Sequence, residues 1–226
     1  MSDEFDDARW PRLLSLAVHE FRTPITVASG YLRMVLKERA GPVSEQQRKL
    51  LEEAEKSCGR LSALVAEMSE LAALEGGKAG FNRGTVELGA LLADIVAGLP
   101  ALPERDVNVV VEGLNGPVTL AGDPTRLRTA LSALIVALRR EVISADRLVV
   151  NVNASDGSCV LALATPDAVA ELAATDPGSL ERFDEWRGGS GLSLAIARRV
   201  ITQHGGALFA PPGEGKAGAL VRLPRG

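Results

Sequence analysis

The sequence predicts an α + α/β chain in which a helical hairpin dimerises into a four-helix bundle and is followed by an α/β sandwich. Two apolar stripes with alternating spacings of three and four residues predict the hairpin. A glycine cluster, Gly76-Gly77-Lys78-Ala79-Gly80, then marks a break, and beyond it the apolar pattern switches to short strands interleaved with helices. The 226 residues therefore divide into a hairpin over 1–80 and an α/β unit over 81–226.

The first stripe is Leu14, Val18, Phe21, Ile25, Ala28, Leu32 and Val35, and Arg39-Ala40-Gly41-Pro42-Val43 ends it. Ser44 with Gln47 three residues on forms a capping box that restarts a helix. The second stripe runs Leu51, Ala54, Cys58, Leu61, Val65, Met68 and Ala72, widened by Leu50, Leu64 and Leu71. Two helices cannot enclose so broad a face, so a homodimer is expected. In the second unit the pattern predicts a helix over about 86–98 and strands near 107–112 and 117–121. A helix follows from Asp123 to about Arg140, then strands near 147–153 and 159–164. A short helical stretch around 167–185, a helix over 191–203 and strands near 207–210 and 218–223 complete a mixed sheet with helices on one face.

Net charge is −4 with no basic run, which argues against nucleic acid. Cys58 and Cys159 lack metal-ligand spacing, and no metal site is expected. The longest apolar run, Ala130 to Leu138, falls far short of the roughly 20 residues a membrane helix needs, and the acidic start is unlike a signal peptide. The expectation is a soluble, cytoplasmic protein without a membrane span. The short segment before His19 leaves no room for an input domain, so a signal is expected to arrive through a partner.

The chemistry concentrates in His19-Glu20-Phe21-Arg22-Thr23-Pro24. His19 follows stripe residue Val18, roughly 100° further round the helix, and should face solvent. A neutral imidazole can attack phosphorus through one nitrogen. Glu20 can accept a hydrogen bond from the other nitrogen and stabilise the cation that forms. Thr23, one turn on, can orient a water for attack on a phosphoryl group. Pro24 removes an amide donor beside the carbonyl of Glu20, so a bend is expected. A zinc-protease reading of His-Glu-x-x fails, because position 23 is Thr where the second His ligand would stand. His204, before Gly205-Gly206 at a helix end, is assigned a structural role.

This block resembles the phosphoacceptor box of two-component sensor histidine kinases, and the resemblance extends over about residues 8–224. Residues 187–206 look like the second glycine box and following helix of the histidine kinase and gyrase type of ATP-binding domain. The resemblance implies nucleotide contacts at Asp167, Gly189 and Gly191. It also implies departures. Registered on Asp123, Arg126 and Leu127, the family's two magnesium-helix asparagines fall on Ala133 and Ala137 and its lysine on Arg140. Alanine offers no oxygen for Mg²⁺. Thr165-Pro166-Asp167-Ala168-Val169 lacks the glycines of the adenine-reading motif, and only five residues separate Phe183 from Gly189, where a lid normally closes over ATP.

The reading is a phosphorelay protein that carries phosphoryl on His19 and exchanges it with, or removes it from, the aspartate of a response-regulator receiver domain. An upstream histidine kinase is a second expected partner. ATP with Mg²⁺ is doubtful as a cofactor, the Mg²⁺ of transfer being supplied by the receiver. Two alternatives stay open: an active autokinase with a divergent ATP site, and a non-catalytic dimeric adaptor that binds a response regulator.

Overall fold

The computed structural model describes residues 9–102, 107–143, 145–155, 157–186, 191–211 and 217–225. The chain divides into two compact units, Met1–Ala79 and Gly80–Gly226.

The first unit is a hairpin of α1 (Trp10–Leu36) and α2 (Glu45–Glu75). Pro11 sits in the first turn of α1, where an amide donor is not needed. The helix runs unbroken through Pro24. It ends where Glu38 takes a left-handed conformation, φ 57°, and the amides of Glu38 and Arg39 return to the carbonyls of Val35 and Met34. The capping box at Ser44 is formed in both directions: Gln47 N–H donates to Ser44 Oγ at 3.3 Å and Ser44 N–H donates to Gln47 Oε1 at 2.9 Å. Arg48 then fastens the turn, donating to the Leu36 carbonyl at 3.1 Å and to the Glu38 carboxylate at 2.6 Å.

In the second unit, β1 (Gly84–Glu87) precedes α3 (Leu88–Ala97) and pairs antiparallel with β3 (Thr119–Gly122). The sequence pattern predicts a helix alone over about 86–98, and the structure adds β1 before it. Glu87 supplies the boundary, because its carboxylate accepts the amides of Gly89 and Ala90 and starts α3. The main sheet has six strands in the order β2-β4-β5-β8-β7-β6. They are β2 (Asn108–Glu112), β4 (Arg147–Ala154), β5 (Ser158–Ala164), β6 (Glu181–Arg182), β7 (Ala207–Ala210) and β8 (Gly218–Pro224). Among the described residues, β2 and β4 pair in parallel and the other neighbours antiparallel. The helices α4 (Pro124–Glu141) and α6 (Ser193–Gln203) pack against each other, above a face formed by Leu148, Val150, Leu161, Leu163 and Val221.

Two expectations are corrected by the region 167–185. It is not one helical stretch: α5 (Val169–Ala174) is followed by a single 3₁₀ turn at Pro177–Ser179 and then by β6. Nor are the helices confined to one face. Val169 and Leu172 of α5 bury against Val149, Ala162, Ala164 and Leu220, with Leu180 and Phe209 alongside. Those strand residues alternate with the ones beneath α4, so α5 covers the opposite face. Double coverage explains the continuous apolar run of β5, Cys159-Val160-Leu161-Ala162-Leu163-Ala164.

Candidate functional site

Helix α1 carries the three residues of the histidine box on its outward side. The His19 side chain is 78% exposed, and Nδ1 lies 3.2 Å from Oε1 of Glu20, itself 70% exposed. With Nδ1–H donating to that carboxylate, Nε2 is left facing solvent with its lone pair available. Thr23, one turn further, is also exposed. On a wheel of about 100° per residue it lies within about 40° of His19. The stripe residues Leu14 and Val18, about 140° and 100° round the helix from His19, are buried.

Beside the box the hairpin exposes apolar surface of two kinds. Phe21 and Leu61 belong to the inward stripes yet remain 51% and 49% exposed. Leu50 and Leu64 on α2 are exposed as well. Leu16, Val27 and Met34 form a separate row on the outward side, all within about 80° of His19 on the same wheel. This second row lies off the inward stripe, so the stripe's 3-4 spacing does not reveal it. Its signal was there to be found, in apolar residues placed on both sides of the box at helical spacing.

Of the positions implied for a nucleotide, Asp167 and Gly191 are among the described residues. Asp167 is exposed in the turn after β5, and hydrogen bonds from the Thr165 hydroxyl and from its own amide lower its carboxyl below the ordinary value. Gly191 is left-handed, φ 60°, just before α6, while Gly189 lies outside the described residues. Ala137 is buried in α4 and Ala133 is half-buried; neither carries an oxygen ligand. Among the described residues, no group of His, Cys, Asp and Glu is arranged to hold a metal. Glu185, unforeseen in the sequence, is buried and ion-paired to Arg198 at 2.9 Å and to Arg199 at 2.6 Å. The pair ties the turn after Phe183 to α6, and the chain leading from Asp167 to that turn is spent on covering the sheet.

No helix among the described residues is long and apolar enough to cross a membrane.

Residues 11–77 match the His Kinase A (phospho-acceptor) domain. The chain is 28% identical over 223 residues to the sensor protein GacS of Pseudomonas syringae pv. syringae, a match covering 92% of this chain and 24% of GacS. It is 27% identical over 210 residues to the phosphate regulon sensor protein PhoR of Pseudomonas aeruginosa, covering 87% and 46%. The chain thus spans about a quarter of one relative and about half of the other. Among solved structures it resembles full-length ShkA in complex with AMPPNP, with a TM-score of 0.70 at 25% identity, covering 95% of this chain and 45% of ShkA. It shares its fold with the Acinetobacter baumannii histidine kinase AdeS, at a TM-score of 0.57 and 18% identity, over 92% of this chain and 96% of that one. The hairpin that bears His19 thus matches a His Kinase A (phospho-acceptor) domain, and the chain as a whole is similar to two-component sensor histidine kinases.

Proposed function

We propose that this chain is a dimeric phosphotransfer protein in which His19 exchanges phosphoryl with the aspartate of a response-regulator receiver domain. The observation that carries the reading is the exposed imidazole with one nitrogen engaged by Glu20 and the other open. In the transfer, Nε2 attacks the phosphorus of the phosphoaspartate, the phosphorus–oxygen bond to the carboxylate breaks, and the carboxylate leaves. The Nδ1 proton stays on the ring, where Glu20 stabilises the positive charge. The reverse step returns phosphoryl to the receiver, and the Mg²⁺ that steadies the phosphoryl oxygens comes with the receiver. Thr23 stands where its hydroxyl can direct a water onto the receiver's phosphoaspartate, which gives the same surface a phosphatase direction. Phe21, Leu61 and Leu64 support the dimer, being stripe residues that the chain's own partner helix leaves open.

Incubation with a radiolabelled phosphorylated receiver tests the reading. Label should move to the parent chain, survive base and be lost in acid, and be absent from His19→Ala. Acid-labile label persisting in His19→Ala would overturn the assignment of the phosphoacceptor.

A second reading, an autokinase with a divergent ATP site, is favoured by one observation, the likeness to ShkA, whose structure holds AMPPNP. Against it stand the missing oxygen ligands at Ala133 and Ala137. Calorimetric titration with AMPPNP and magnesium divides the two, and low-micromolar binding would favour the autokinase.

A further inference from the structure

The chain that enters the second unit is held at each residue from Gly80 to Arg83. The Gly80 carbonyl accepts from Arg126 Nε at 2.9 Å. The Asn82 amide donates to Asp123 Oδ2 at 2.8 Å, and the Arg83 guanidinium donates to the carbonyl of Gln203, at the end of α6, at 2.7 Å. Phe81 sets its ring edge-on to His204, with centroids 5.3 Å apart, under the Arg126 guanidinium at 4.6 Å. His204 is fixed beneath it. Its Nδ1 lies 2.7 Å from the Val200 carbonyl, and Nε2 accepts the Asp123 amide at 2.9 Å, so both ring nitrogens are engaged, Nδ1 as donor and Nε2 as acceptor. Gly122 makes room for that ring, since a Cβ there would stand 2.8 Å from His204 Cδ2. On the other side of the junction, the amides of Lys78 and Ala79 both bond back to the Ala73 carbonyl of α2.

We infer that Gly80–Arg83 is a latch: closed, it confines bending of the connector to the Ala79–Gly80 junction, and open, it extends the free tether through Arg83. The latch is polar and superficial. Only Phe81 is half-buried, and Asn82 and Arg83 are exposed, so opening uncovers little apolar surface and does not require the sheet to unfold. While closed, it delivers any displacement of the connector to the start of α4 and the end of α6 through Asp123, Arg126 and Gln203. This inference is independent of the phosphotransfer reading.

Phe81→Ala in the full chain is the test, followed by amide hydrogen exchange and limited trypsin digestion. The Asn82 amide should be protected in the parent and exchange roughly ten-fold or more faster in the variant, as expected for a local opening. Cleavage after Arg83 should appear with it, while the melting of the α/β core stays at the parent value. Phe81→Trp, which keeps a ring against His204 and Arg126, should behave as the parent. Gly122→Ala, which pushes His204 from below, should open the latch as Phe81→Ala does. Equal exchange at Asn82 and equal cleavage after Arg83 in parent and Phe81→Ala would overturn the latch. Loosening of the whole unit in Phe81→Ala would also overturn it, by showing the segment to be part of the core.

Discussion

Replacing Leu61 by glutamate separates the two kinds of contact that the hairpin's inward stripe makes. Leu61 and Val65 lie one turn apart, yet Leu61 is 49% exposed and Val65 only 6%. Val65 is thus consumed within one hairpin, while about half of Leu61 stays exposed for the second copy that the proposed dimer would supply. Completing its burial contributes about 1 kcal/mol per copy, since a fully buried leucine is worth about 1.5–3 kcal/mol. A carboxylate at that place forfeits this gain and adds a desolvation cost of order several kcal/mol. Twofold symmetry applies both losses twice. The dimer dissociation constant should therefore rise at least about 10³-fold, equivalent to about 4 kcal/mol. Helix content should hold, because the side chain is half in water already. Val65→Glu should instead melt the hairpin itself. Sedimentation equilibrium across a range of concentrations, with circular dichroism on the same samples, reads both. A Leu61→Glu chain that sediments like a dimeric parent would refute the reasoning, as would a parent that is monomeric throughout.

Thr23→Ala should leave label transfer to His19 near the parent rate but slow loss of phosphate from the receiver; equal slowing of both steps would contradict the division of labour. At Asp123, burial pushes the carboxyl upward, but the amides of Arg126, Asn82 and Thr125 together with the Arg126 charge outweigh it and hold the group below its ordinary value. Its contribution to stability is therefore present above the unfolded value of about 3.9 and fades as pH falls through the lower folded one. The gap in melting temperature between parent and Asp123→Asn should accordingly narrow below about pH 4, and a gap that widens there would contradict the sign. Burial raises the Cys159 thiol to about 11, against a smaller opposing influence from Arg225. Native alkylation at pH 8 should spare Cys159, and rapid labelling of it in mass spectrometry would show that β5 is open.

The hairpin, the sheet and the histidine box were legible in the sequence because each rests on local periodicity or adjacency. The 3-4 spacing from Leu14 to Val35 reports one helix face, and the Ser44–Gln47 box closes within a single turn. His19, Glu20 and Thr23 share a side because helix geometry alone puts them there. The errors fell where a segment's environment comes from distant chain. Val169, Leu172 and Leu180 gave a weak helical signal, and only the registration of β4, β5 and β8 created the outer face on which they land. The buried pairing of Glu185 with Arg198 and Arg199, the hydrogen bond from the Asp123 amide to His204 Nε2, and the hold of these two on Asn82 and Phe81 join residues far apart in sequence. Periodicity carries no record of such pairings, since they are decided by which strand ends and helix ends the fold brings together. The same holds for the hairpin stripe. Its pattern told which residues turn inward, but which of them are buried within one hairpin and which stay exposed was settled by the packing of α1 against α2.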